Sequence, residues 1–123
     1  MRFFVSVAFA VSLVLSTVSQ ATVVWSSCQT ITGVVHEPIG PSGNIILSLS
    51  PGIPSCNPAG IPGAAMFMVG QEGLAATDLG GFLADSLTAV SSGRQVQVAY
   101  DNASGAPCYS DAISVGGTNG QCP

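Results

Sequence analysis

Charge is what this sequence has least of. Only 7% of its 123 residues are charged, and two of those, Arg2 and Arg94, are the whole basic complement. Without a cationic surface there is nothing to exchange for the counterions on phosphate, which excludes an electrostatic nucleic-acid binder. Six acidic residues give a formal net charge of −4, and 47% of positions are hydrophobic. That balance excludes a charged disordered tail, which would be apolar-poor. Histidine occurs once, at His36. Beyond the N-terminal region no apolar run reaches the roughly 20 residues needed to cross a bilayer.

What the chain does contain begins with an address. Met1-Arg2 precedes an apolar run from Phe3 to Leu15, and Ser19 and Ala21 supply small residues before a cut. One positive charge, an apolar core of about a dozen residues and a small-residue site describe a secretory signal peptide. The expectation is removal of residues 1–21, leaving one secreted domain over residues 22–123. Arg94 is then the only strong cation, against Glu37, Glu72, Asp78, Asp85, Asp101 and Asp111.

An exported chain with an even set of cysteines reads as disulfide-stapled, so Cys28, Cys56, Cys108 and Cys122 are assigned to two bridges. A zinc site would call for a C-x2-C pair or several histidines, and neither is present; no metal or cofactor is expected. Four cysteines allow three connectivities. Cys28 and Cys56 lie almost symmetrically about Pro41-Ser42, and Cys108 and Cys122 bracket a strand with its return. This bracketing favours Cys28–Cys56 and Cys108–Cys122.

Fifteen glycines and eight prolines punctuate the chain into short elements. Alternation predicts a strand over Thr30–Glu37, a turn over Pro38–Gly43, and a second strand, Asn44–Leu49, with Ile45, Leu47 and Leu49 on one face. Pro51–Gly63 reads as loop. Ala64–Val69 is a short apolar run, better suited to a buried strand than to a helix. From Thr77 to Val90 the period changes. Leu79, Phe82, Leu83, Leu87 and Val90 recur at three- and four-residue spacings, with Thr77 as N-cap and Gly93 closing the helix. Gln95–Tyr100 and a weaker Tyr109–Val115 complete the strands. Three strands, a helix and two strands is the element order of an OB-fold, here a mainly β, five-stranded small barrel with one helix between strands three and four. An α+β sandwich can carry the same order.

Catalysis needs convergent titratable groups. No G-x-S-x-G elbow is present, no acidic pair sits in a telling motif, and His36 has no local partner for nucleophile activation. No catalytic residue is assigned. Gly116-Gly117 does not match a phosphate loop, and Asn102-Ala103-Ser104 is a glycosylation sequon on an expected loop. With so few charges, the surface must be covered by neutral polar residues or partly buried in an oligomer.

Two segments carry a family resemblance. Ile31-Thr32-Gly33-Val34-Val35 resembles the [ST]-G-V-V opening of the first strand in the binding (B) subunit of subtilase cytotoxin and related pentameric bacterial toxins. Leu87 to Tyr100, with Gly93 and a V-x-V-x-Y strand, resembles that family's helix end and following strand. The resemblance covers about two thirds of the mature chain in short, common motifs, while Cys28 and the Pro51–Gly63 loop depart from the family pattern. It implies an OB-fold, a homo-pentameric ring, a catalytic partner (A) subunit, and binding of cell-surface glycans ending in sialic acid, with Thr32 supplying the sugar-contacting hydroxyl. The expectation is a secreted glycan-binding module without catalysis. The alternative is a disulfide-stapled structural or interaction protein, and a small hydrolase dependent on His36 is a more distant third.

Overall fold

A computed structural model describes residues 23–37, 43–103, 105, 107–116 and 122. The segment read as a signal peptide, residues 38–42 of the expected turn and most of the C-terminal tail lie outside the described residues.

Among the described residues the chain is mainly β, with one α-helix. Strands β1 (Val23–Trp25), β2 (Thr30–Glu37), β3 (Asn44–Ser50) and β4 (Ala65–Met68) precede helix α1 (Ala76–Ser92), and β5 (Val96–Asp101) and β6 (Ser110–Val115) follow it. The five expected strands are present, and the helix falls between the third and fourth of them. β1 is an addition, too short for alternation to reveal.

These strands form two three-stranded antiparallel sheets, ordered β2-β3-β4 and β1-β5-β6. They do not close into a five-stranded barrel. Two isolated bridges join the sheets: Gln29 pairs antiparallel with Val96, and Met66 parallel with Tyr109. The segment from β1 to β2 therefore passes from one sheet to the other, pairing first with β5 and then with β3.

β3 is the centre of its sheet. Ile45, Leu47 and Leu49 face the main core, as alternation requires, but Ile46 is buried on the other face against Ala64 and Met66. Helix α1 covers the main core with Leu79, Phe82, Leu83 and Ala89, and the Phe67 and Phe82 rings stack at 4.6 Å between centroids. The helix begins slightly before the expected cap, because Asp78 accepts a 2.7 Å hydrogen bond from the backbone N–H of Ala75. Gly93 ends it in the left-handed region at φ 67°, as expected.

The buried face of α1 and the disulfide pairing also differ from expectation. Leu87 and Val90 are 51% and 50% exposed, whereas Ser86 and Ala89 are buried in their stead. Spacing alone marked an apolar arc broader than the face that meets the sheet. Small residues line the C-terminal half of the contact, and the Ser86 hydroxyl is satisfied by donating to the Phe82 carbonyl at 2.7 Å.

The disulfides are Cys28–Cys122 and Cys56–Cys108, at sequence separations of 94 and 52. The bracketing pairs do not form. Cys28 precedes the Gln29–Val96 bridge, and Cys56, in the loop after β3, is joined to Cys108 shortly before β6. Each bridge ties distant parts of the fold instead of closing a hairpin, and in the chain-entropy account contributes about 4–5 kcal/mol. Two such bonds suit an oxidising, extracytoplasmic environment.

Candidate functional site

The Cys56–Cys108 bridge brings together two loops that sequence keeps far apart. The first runs from Pro51 to Gly63. Its ends touch: Ile53 N–H donates to Gly63 O at 2.9 Å and Gly63 N–H to Cys56 O at 2.7 Å. A Cβ on Gly63 would lie 2.9 Å from the Gly52 Cα, and both residues have positive φ, so glycine is required at this crossing. Gln29, fully buried, fixes the loop's entry by accepting from Gly52 N–H at 2.8 Å.

The second loop joins β5 to β6. Asp101 is buried and its Oδ1 accepts from Ala103 N–H at 2.8 Å, which folds the backbone around Asn102. At the far end Cys108 N–H donates to Gly105 O at 3.1 Å, and Asp101 N–H to Tyr109 O at 2.9 Å.

Between the loops lies a cleft of about 400 Å³ lined by Pro54, Ser55, Tyr100, Asn102, Gly105 and Cys108. A second depression of about 460 Å³ adjoins it, sharing Pro54 and Ser55 and formed by the Pro51–Gly63 loop itself. Among the described residues no charged side chain lines either one. In the cleft the described polar side chains are the Tyr100 phenol, the Asn102 amide and the Ser55 hydroxyl, and Asn57 adds a second amide to the adjoining depression; all donate and accept hydrogen bonds without carrying charge. Tyr100 is half-buried, packing partly against the core while it also walls the cleft. Asn102, the acceptor of the glycosylation sequon, is exposed at its mouth.

No protein-family model, curated protein or solved structure matches this chain. The site is therefore read from its own chemistry.

Thr32 is exposed and lies elsewhere. It falls in the β-bulge of β2, between Ile31, opposite Leu49, and Gly33, opposite Ser48, and lines neither of the two depressions. His36, also exposed, borders a separate groove of about 290 Å³ with Gly43, Val69 and the first half of α1.

The structure also gathers three acids that sequence keeps apart. Glu72 is titrated above its ordinary value of 4.5, first by partial burial, then by the charge and hydrogen bonding of Asp101, and last by Asp111. One oxygen of Asp111 is buried without a hydrogen-bond partner. Among the described residues no His, Cys, Asp and Glu side chains are grouped as a metal-ligand set. No described helix is long and apolar enough to span a membrane.

Tyr100, Asn102 and Ser55 were not singled out by sequence reasoning as a site. A sequon beside a cysteine, and a proline-rich loop holding another cysteine, were the available signals. Only the connectivity of those cysteines turns the two signals into one place.

Proposed function

We propose that the protein is a secreted, non-catalytic module that binds an uncharged oligosaccharide in the cleft stapled by Cys56–Cys108. The observation that carries this reading is the cleft's lining, which among the described residues is an aromatic ring, an amide and a hydroxyl with no charged side chain. A sugar offers apolar C–H faces to a ring such as Tyr100 and hydroxyls to groups such as Asn102 and Ser55. The volume falls in the range of small-ligand sites. Uncharged walls on a chain with so few cations suit a neutral sugar better than sialic acid, so the glycan-binding expectation is kept with a different ligand and place.

The topology supports the same reading. We take the two sheets as halves of an opened OB-type barrel, because β1–β2 serves both sheets and a parallel bridge links β4 to β6. Loops of this fold, including the one between its last two strands, bind oligosaccharides and oligonucleotides, and the charge balance excludes the latter.

The test is an array of neutral and sialylated oligosaccharides, followed by calorimetry. Neutral glycans should be retained, and Asn102→Ala should weaken binding about tenfold, about 1.4 kcal/mol, whereas Thr32→Ala should leave it unchanged. Capture of sialylated glycans alone, lost in Thr32→Ala, would overturn this assignment in favour of the β2 site.

A further inference from the structure

The outer flank of α1 carries a pattern of which the fold uses only Leu83, and that one in part. Ala76, Gly80, Leu83, Leu87 and Val90 are spaced alternately by four and three, the repeat of a helix–helix seam. On a regular helix this seam lies to one side of the face formed by Leu79, Ser86 and Ala89 that meets the sheet. Leu87 and Val90 are half-exposed, and Ala76 and Gly80 are exposed.

The two halves of the seam differ in shape. Its C-terminal half offers two large apolar side chains. Its N-terminal half is nearly flat and borders the 290 Å³ groove, which Ala76, Gly80 and Leu83 line on one side and His36 and Val69 on the other. A bump and a hollow on one surface, placed symmetrically about Leu83, fit a second copy turned by a two-fold axis. In that arrangement Val90 meets the other copy's Ala76, Leu87 meets its Gly80, and Leu83 faces its counterpart across the axis.

Charge permits this contact. Two copies of an acidic chain repel wherever their carboxylates face, yet Asp78 and Asp85 lie roughly opposite the seam on the helix circumference. No charged side chain occupies the five seam positions. Antiparallel helices also set unlike ends of their dipoles side by side.

We propose that the protein associates with a second copy of itself through an antiparallel pair of α1 helices, Leu87 and Val90 of each filling the groove beside Ala76 and Gly80 of the other. This pairing does not rest on the oligosaccharide reading. Ala76 to Val90 covers about 21 Å of helix axis. With its flanks such a contact buries on the order of 1,000 Å² in total, the lower margin for a specific interface.

Sedimentation velocity and native mass spectrometry of the oxidised chain over residues 22–123, across a concentration series, test this directly. The expected result is a monomer–dimer equilibrium whose dissociation constant rises at least about tenfold in Leu87→Asp. Gly80→Leu is the second variant. A Cβ at this position meets nothing within 4 Å in the single chain, so the monomer should fold, with its helix if anything strengthened, while the groove is filled. It too should dissociate the dimer. A monomer at every concentration, a pentamer, or a dimer that survives either substitution would overturn the proposal.

Discussion

The side-chain amide of Gln29 pairs with the backbone of Gly52 as a strand residue would, accepting from its N–H at 2.8 Å and donating to its carbonyl at 3.4 Å. The backbone of the same residue exchanges two 2.8 Å hydrogen bonds with Val96. Gln29 thus holds three segments at once: the passage from β1 to β2, the start of β5, and the entry to the loop that walls the cleft. Gln29→Leu keeps the volume but leaves the Gly52 backbone without its partner. Chemical denaturation should find the variant about 1–3 kcal/mol less stable.

Gly63 and Gly73 separate two costs that usually come together. Both have positive φ, but a Cβ on Gly63 strikes the Gly52 backbone, whereas one on Gly73 meets nothing within 4 Å. Gly73→Ala should cost about 1 kcal/mol from backbone conformation alone. Gly63→Ala should cost visibly more and, by spreading the loop, reduce oligosaccharide binding. Equal losses of stability in paired melts would show that the loop yields freely at the crossing.

The disulfides make distinct contributions. Peptide mapping without reduction should recover Cys28 linked to Cys122 and Cys56 linked to Cys108. Replacing both members of either pair by Ser should lower stability by about 4 kcal/mol in the chain-entropy account. Only the Cys56/Cys108 replacement should abolish binding in the cleft, because that bridge joins its walls. Loss of binding in the other pair alone would place the site elsewhere.

Glu72 holds its proton more tightly in the folded chain than when unfolded, through partial burial and the nearby Asp101 and Asp111. Between its ordinary value of 4.5 and its raised folded value, the native state binds more protons. Its contribution therefore weakens stability as pH rises through that window and restores it on acidification. Glu72→Gln should stabilise the protein slightly at neutral pH, a small effect because solvent screens a partly exposed group. Its stability profile should also be flatter through the window, as read by thermal melts. A steeper profile in the variant would reverse the assignment.

Local pattern made most of the elements readable. β-branched alternation marks β2, β3 and β5, an apolar run bounded by glycine marks β4, and the change of period marks α1. β1 escaped because three residues cannot establish a period. The buried face of α1 was only half legible, since Ser86 and Ala89 are small enough for close approach yet look unremarkable in a list of apolar residues. Thr32 could be placed on β2 from sequence, but its isolation from the cleft could not.

The sequence by itself determined the compartment signals, the scarcity of charge, the order of strands and helix, and the even set of cysteines, because each is a property of composition or of near neighbours along the chain. Tertiary structure alone decided which cysteines pair, that two sheets form without closing, and that Ser55, Tyr100 and Asn102 share one cleft. It also brought Glu72, Asp101 and Asp111 together. Those outcomes depend on contacts between residues tens of positions apart, whose meeting is set by how whole elements pack and by no periodicity that a local reading can detect.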